Sequence, residues 1–272
     1  MRVFIFILSY MFCTMANAQI LPSYGGERAG QSAFTFLKND MSVRSAGMGG
    51  ASAALPGDRY SGMQNPAGLS SLSSSSFALS HIQLGGSLSQ IGILTSIPDK
   101  KASSAWGLSL NRIQTPAYAE RTEFQPEGTG YTLYSSQTSA GLSYSKQLTE
   151  QFQLGITLKS ISESYTTGGQ NGAYNAFSAA ADVGFLYTTD LKDLRFAVLL
   201  RNFGGSSNLR GSYQASTFNR FPIQSLESNT LPTEFAMALS FIAYEKNNSS
   251  LRLAAQLVHP NDNAENYRIG AE

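Results

Sequence analysis

Strict alternation of apolar and polar residues is the feature of this chain that most constrains its fold. In residues 151–158, Gln-Phe-Gln-Leu-Gly-Ile-Thr-Leu, every second residue is apolar. A period of two places successive side chains on opposite faces and predicts a β-strand. About ten segments share this pattern: 77–84, 88–97, 104–113, 135–146, 151–163, 175–188, 193–203, 233–244, 250–258 and 265–272. The sequence therefore predicts an all-β fold.

The length of these segments indicates where the strands lie. Several of them, such as 135–146 and 175–188, run to ten residues or more. Strands of soluble proteins usually have about 5–6 residues, whereas strands that cross a membrane need about 9–11. Only 14% of the residues are charged, against roughly 25% in a typical soluble domain. These values favour a transmembrane sheet, and a soluble β-sandwich is the alternative.

The connections between the segments alternate in length. Short connections at 98–103, 147–150, 189–192 and 245–249 are interleaved with long ones at 114–134, 164–174 and 204–232. In an up-and-down barrel every second connection lies on the same rim, and outer-membrane barrels have short periplasmic turns and long extracellular loops. A lipid-exposed sheet must also close on itself. We therefore predict a transmembrane antiparallel up-and-down β-barrel in the outer membrane of a Gram-negative cell.

In such a barrel the apolar faces of the strands contact lipid and the polar faces line a lumen. Four arginines in the predicted strands are candidates for lining the lumen: Arg112, Arg195, Arg201 and Arg252. Charges inside a barrel need partners. Internal ion pairs with Asp182, Glu163 and Glu234 are therefore the other interpretation of these arginines, and we favour it.

The first eighteen residues predict export. Arg2 precedes the apolar run 3–12, and Ala-Asn-Ala at 16–18 is a small-residue cleavage site, as in a secretory signal peptide. Cys13 is the only cysteine and lies in this segment, so the mature chain offers no disulfide. We predict a signal peptide at 1–18, an N-terminal periplasmic segment and lumen plug at 19–76, and the barrel at 77–272.

The predicted plug contains an unusual stretch at 45–71, rich in Gly, Ala and Ser and poor in charge. Gly allows tight backbone folding, and Asn-Pro-Ala-Gly-Leu at 65–69 has the composition of a turn. The alternative is a disordered leader, which the lack of charge runs disfavours. The residues assigned to this plug motif are Gly47, Gly49, Gly50, Asp58, Asn65, Pro66, Ala67 and Gly68.

The stretch FLKNDMSVRSAGMGGASAALPGDRYSGMQNPAGLSS resembles the N-terminal signature of the PorV/PorQ family of outer-membrane proteins, which is similar to the FadL long-chain fatty-acid transporters. LLRNFGG (199–205), LPTEFAMALS (231–240) and VHPNDNAENYRIGAE (258–272) match in order and spacing. Gln64 departs from the aromatic residue that often precedes NPA in this family, which leaves the subgroup open.

The resemblance implies a FadL-like barrel of fourteen strands with an N-terminal hatch. About four strands would then follow Glu272, so we expect the sequence to be a fragment that stops within a strand. The resemblance also implies a role in type IX secretion, by accepting secreted cargo or helping to attach it at the cell surface. FadL relatives instead carry hydrophobic molecules, so a passive channel for long-chain fatty acids or similar molecules is the alternative function.

Residues of the long connection 204–232 are candidates for an extracellular binding loop, because their apolar content is high for a solvated loop. They are Tyr213, Phe218, Phe221 and Ile223. The partners we expect are outer-membrane lipid, secretion-system proteins or secreted cargo, and hydrophobic small molecules in the alternative. A net charge of +1 gives no indication of nucleic-acid binding.

The sequence offers no catalytic constellation and no cofactor motif. Gly-Met-Gly-Gly at 47–50 lacks the preceding buried strand that a phosphate-binding loop requires. His259, Asp262 and Glu265 have the residue types of a metal site, but a polar turn explains them better. We therefore predict a protein that is not an enzyme and needs no metal or cofactor.

Overall fold

A computed structural model describes residues 29–55, 57–121, 123–167, 173–208, 212–213, 224–225, 228–247 and 249–272. The predicted signal peptide lies outside the described residues. Ten long strands form one antiparallel sheet, here called the wall, in which each strand pairs with the next along this order. They are β1 (Ser76–Gln83), β2 (Ser89–Asp99), β3 (Ser104–Gln114), β5 (Thr132–Gln147), β6 (Phe152–Thr167), β7 (Ala173–Thr188), β8 (Arg195–Gly204), β13 (Glu234–Lys246), β14 (Ser249–Pro260) and β15 (Asn266–Ala271). The all-β, up-and-down antiparallel prediction is confirmed.

Five short strands lie in the long connections. They are β4 (Tyr118–Ala119), β9 (Ser206–Asn208), β10 (Ser212–Tyr213), β11 (Gln224–Ser225) and β12 (Ser228–Thr230). β4 pairs with β5, β10 with β11, and β9 with β12. The last two pairs therefore give the connection between β8 and β13 a structure of its own.

Closure of the wall is not seen in the described residues. β1 pairs with β2 and β15 with β14, and no ladder joins β1 to β15 in the part of the chain that the structure describes. The closed barrel consequently stays a prediction.

The two faces of the wall differ as the alternation requires. In β3, Trp106, Leu108 and Leu110 are exposed, whereas Ser109 and Asn111 on the opposite face are buried. Arg112 lies on the exposed, apolar face, because it is an even number of residues from Trp106 and Leu108. The structure thus separates Arg112 from the other three predicted lumen-lining arginines.

The helical turns are short and lie mainly before the wall. They are the 3₁₀ turns Thr35–Lys38, Pro66–Ser71 and Gly85–Ser87, and the α-helical turns α1 (Val43–Gly47) and α2 (Ser61–Gln64). The Ser42 side chain accepts a hydrogen bond from Ser45 N at the start of α1, as an N-cap does. None of the helices in the described residues has the length and apolar content needed to cross a bilayer.

Residues 32–72, here called the N-terminal segment, cover the buried face of the wall. The Met41 carbonyl accepts from Ser80 Oγ of β1 at 2.6 Å, and the Ala67 carbonyl accepts from Ser145 Oγ of β5 at 2.8 Å. At the far edge, a Cβ added at Gly49 would lie 2.9 Å from the Ile269 carbonyl of β15. One short segment reaches both edges of a ten-stranded sheet, so the wall must curve around it.

The segment runs along the height of the wall. It starts near the long connections, where Ser32 bridges Thr230 and Ala33 N donates to the Thr230 carbonyl at 2.9 Å. Phe34 and Phe36 then pack in a cluster with Ile161 and Leu231. The segment ends near the short turns, before β1 begins. Its described part therefore starts at the long-connection end of the wall and ends at the short-turn end.

Candidate functional site

The clearest site in the molecule is a notch in the wall that receives the N-terminal segment. Gly155 of β6 and Gly184 of β7 lie directly opposite each other in the strand register. A Cβ added at Gly155 would overlap the backbone of Pro66 and Ala67, and one added at Gly184 would overlap the Asn65 side chain. The two glycines therefore leave the space in which Asn65 and Pro66 sit, and we call this pair the glycine notch.

Asn65 binds both partners of this contact. Its Nδ2 donates to the Ala53 carbonyl at 2.8 Å within the segment and to the Phe185 carbonyl at 3.4 Å in the wall. Its Oδ1 accepts from Ala67 N at 3.1 Å, which caps the turn that Pro66 begins. Asn65 is buried, so each of these polar groups would lack a partner if the side chain changed.

Three other residues of the predicted plug motif, Asp58, Gly68 and Ala67, stabilise the fold of the segment or its packing. Asp58 is buried, accepts from Ser42 Oγ at 2.8 Å and from Tyr60 N at 2.8 Å, and so folds the segment back on itself. A Cβ at Gly68 would lie 3.1 Å from Ser61 Oγ. Ala67 is fully buried in the cluster that also holds Leu199.

The three glycines at 47–50 are not equivalent. Gly49 and Gly50 have φ of 61° and 79°, a backbone conformation that other residues rarely adopt, and both lie against β15. A Cβ at Gly47 would meet open space. Gly49 and Gly50 therefore shape the contact with β15, and Gly47 does not.

The alternation of residues 151–158 places Gly155 on the polar face of its strand but does not by itself predict the glycine notch. An isolated glycine within a strand often marks the close approach of another backbone. That signal was present at Gly155 and Gly184, but their pairing depends on a register that only the folded wall fixes.

Buried charges form a second group, on the same face of the wall. Lys159 Nζ lies 2.6 Å from Asp182 Oδ2 and donates to Asn202 Oδ1 at 2.8 Å. Arg201 pairs with Glu234 at 3.5 Å, and its Nη2 donates to the Leu37 carbonyl at 3.2 Å. Of the three acidic residues expected to pair with arginines, Glu234 therefore has an arginine partner.

The other two acidic residues expected as partners, Asp182 and Glu163, do not pair with an arginine among the described residues, although Arg195, Arg201 and Arg252 all form ion pairs. Asp182 pairs with Lys159 and not with an arginine. Glu163 binds Gln137 Nε2 and the Tyr165 hydroxyl. Arg195 and Arg252 both pair with Asp193, a residue of the short connection before β8.

The predicted metal-type residues do not converge. His259 Nδ1 contacts Glu265 Oε1 at 3.1 Å, whereas Asp262 pairs with Lys38 of the N-terminal segment at 2.5 Å. Within the described ranges, no group of three or more His, Cys, Asp or Glu residues could hold a metal ion. Asp262 instead joins the N-terminal segment to the loop after β14.

A second ion pair joins the segment to the last residue described after β15. Arg44 Nε donates to Glu272 Oε2 at 2.8 Å. The hydrogen bond from Arg44 holds the pKa of Glu272 below its usual value, and the same bond raises the pKa of Arg44. Farther along the segment, burial raises the pKa of Tyr60.

The predicted extracellular loop is described only in part. Phe218, Phe221 and Ile223 lie outside the described residues, and for Tyr213 the structure gives only its place in β10. In the connection between β3 and β5, Phe124 is 81% exposed and Tyr131 is also exposed. Apolar side chains are therefore exposed in the connection between β3 and β5, and the binding residues expected in the connection between β8 and β13 stay a prediction.

No protein-family model and no curated protein matches this chain.

Proposed function

We propose that this chain is a non-catalytic outer-membrane β-barrel protein of the PorV/PorQ type. In this proposal its N-terminal segment acts as a hatch, and it serves type IX secretion by binding or shuttling secreted cargo or by scaffolding cargo attachment at the cell surface. One observation carries the proposal: one face of the wall is apolar and exposed, and the other holds buried polar and charged side chains among apolar ones and is covered by the chain's own N-terminal segment.

The exposed face supports a lipid environment. Leu108, Leu158 and Phe177 are 63%, 60% and 65% exposed, and they belong to a patch that extends over all ten strands. Soluble monomers rarely expose continuous apolar patches larger than a few hundred Å². Near the short turns, Trp106 contacts Tyr144 with ring centroids 4.7 Å apart. Aromatic residues at the edges of the apolar band are typical of outer-membrane barrels.

The long-connection end supports a surface that meets water. β5, β6 and β7 have 16 residues each, which corresponds to roughly 50 Å of strand, more than an apolar band about 25 Å tall requires even with tilt. Along β6 the outward residues change from apolar at 152–158 to serine at Ser160, Ser162 and Ser164. This polar extension, together with exposed Phe124 and Tyr131, is where we place cargo contact.

One observation favours the alternative, a FadL-type passive channel. A cleft of about 330 Å³ lies beside residues 35–39 and is lined in part by Phe36, Leu88 and Ile113. Such a cleft is within the size range of sites for small apolar molecules. We rank this function second, because the segment closely covers the wall elsewhere on this face.

Site-specific photocrosslinking in intact cells tests the two functions. A photoreactive residue at Phe124 should capture a secreted protein or a secretion-system component. The matched control is Lys101, which is also exposed but lies in the short connection between β2 and β3. We expect no cargo adduct there, because the proposal assigns that connection to the periplasm.

Deletion of the gene separates the two candidate functions. Loss of secretion with normal fatty-acid uptake supports the first. Loss of long-chain fatty-acid uptake with intact secretion, and no adduct at Phe124, would replace it with the second.

A further inference from the structure

A small cavity lies between the N-terminal segment and the wall. It encloses about 50 Å³ and is lined by Lys38, Asp40 and Gln64 of the segment and by Asn111, Lys159 and Arg201 of the wall. One water needs roughly 10–15 Å³ of such space. The cavity therefore has room for about three to five non-hydrogen atoms, and it is too small for an acyl chain.

Three hydrogen-bond donors of residues that line this cavity are buried without an acceptor among the described residues, namely Gln64 Nε2, Arg201 Nε and the Tyr60 hydroxyl. Gln64 is only 8% exposed, and its Nε2 has no hydrogen-bond partner among the described residues. Arg201 Nε is likewise buried and has no partner within the same ranges, although the other two guanidinium nitrogens contact Glu234 and the Leu37 carbonyl. Buried donors are nearly always satisfied by protein, water or ligand.

The charges around the cavity favour a ligand that accepts hydrogen bonds. Lys38, Lys159 and Arg201 contribute to its lining, whereas the carboxylates that pair with them, on Asp262, Asp182 and Glu234, do not. Arg268 also lines the cavity, and its Nε donates to Asn266 Oδ1. Asp40 is the one acidic side chain among the described lining residues, and its Oδ1 already accepts from Ser42 N.

We infer that this cavity binds a small carboxylate of about three or four non-hydrogen atoms. One carboxylate oxygen accepts from Gln64 Nε2 and the other from Arg201 Nε, which gives each of these two buried nitrogens an acceptor. Phosphate, with five non-hydrogen atoms, lies at the upper limit of this space, whereas a carboxylate of three or four lies within it. The inference does not depend on the proposed function, because it concerns only the contact between the segment and the wall.

Calorimetric titration of the full chain in detergent with acetate, at constant ionic strength in chloride, tests this site. We expect saturable binding in the low millimolar range, with phosphate binding at least about tenfold more weakly. Gln64→Met removes the donor and Gln64→Glu replaces it with an acceptor, and each should weaken acetate binding at least about tenfold. The matched control Gln83→Glu, at an exposed position of β1, should bind acetate as the unmodified chain does.

Several results would overturn the inference. The unmodified chain could fail to bind acetate saturably, or Gln83→Glu could weaken acetate binding as much as the Gln64 variants do. Displacement of acetate by octanoate, which is too long for the cavity, would also contradict the inference. Circular dichroism checks that each variant is folded. If neither Gln64 variant folds, the comparison of acetate, phosphate and octanoate on the unmodified chain still decides the outcome.

Discussion

The N-terminal segment meets the wall in two regions that are built differently. At the glycine notch, Asn65 and Pro66 press against Gly155 and Gly184 with no space for a single added carbon. At the cavity, the same segment faces the wall across charged side chains and a space of about 50 Å³. The first contact depends on shape, and the second on charge and hydrogen bonding.

This difference indicates that the glycine notch, and not the cavity, sets the position of the N-terminal segment. Close-packed contacts tolerate little change in volume, so the notch defines where the chain enters β1. Charged contacts can be replaced as pairs, because each partner mainly compensates the desolvation of the other. We therefore expect that the stability lost by removing one charge near the cavity is restored when its partner is also replaced. At the notch, the stability lost by enlarging a glycine should not be restored by a second substitution.

The largest effect should come from Lys159→Met. This change leaves Asp182 buried and without its cation, which typically costs about 3–5 kcal/mol in the free energy of unfolding. Urea unfolding of the protein in lipid vesicles measures the loss. The double variant Lys159→Met/Asp182→Leu should recover most of the lost free energy of unfolding. A double variant as unstable as Lys159→Met would contradict the claim that charged contacts, unlike the notch, can be replaced as pairs.

Gly155→Ala should follow. The added methyl group overlaps the backbone of Pro66, and overpacking of this kind typically costs about 1–3 kcal/mol. The matched control is Gly47→Ala, whose added Cβ meets open space. Melting temperatures of both variants and limited proteolysis of the segment measure the effect. Equal behaviour of the two alanine variants would mean that the notch does not hold the segment.

Asn65→Asp sharpens the same region with a smaller change. The new carboxylate keeps the cap on Ala67 N but cannot donate to the carbonyls of Ala53 and Phe185. We expect a loss of about 1–3 kcal/mol near neutral pH. Asn263→Asp, at an exposed position, is the control and should unfold as the unmodified chain does. The account of Asn65 fails if both aspartate variants lose the same stability.

The smallest effect concerns the pair of Arg44 and Glu272. Because the folded-state pKa of Glu272 is lowered, its contribution is present above the ordinary carboxylate pKa and is lost as pH falls through the folded-state pKa. The pair is partly exposed, so the difference between the unmodified chain and Glu272→Gln should stay below about 1 kcal/mol at pH 7. Unfolding at pH 7 and pH 3 checks this, and a difference that grows on acidification would contradict it.

The strands were predictable because alternation is a local property. All ten predicted wall segments correspond to wall strands, in the same order. The face on which Arg112 lies was also predictable, because Arg112 is an even number of residues from Trp106 and Leu108. Grouping the four arginines by charge alone concealed this. The notch and the pairing of Lys159 with Asp182 were not readable, because both depend on the register between β6 and β7.

Labels on single cysteines test the central claim most directly. The mature chain that we predict has no cysteine, so four variants report the two faces of the wall without interference: Leu108→Cys and Leu158→Cys on the exposed face, and Ser109→Cys and Thr157→Cys on the buried face. Spin-labelled proteins in lipid vesicles are exposed to oxygen, which enters the bilayer, and to a water-soluble nickel chelate, which does not. We predict high oxygen and low nickel accessibility at Leu108 and Leu158, and low accessibility to both at Ser109 and Thr157. Equal access of the nickel chelate to Leu108 and to an exposed loop residue such as Lys101 would contradict a wall that faces lipid.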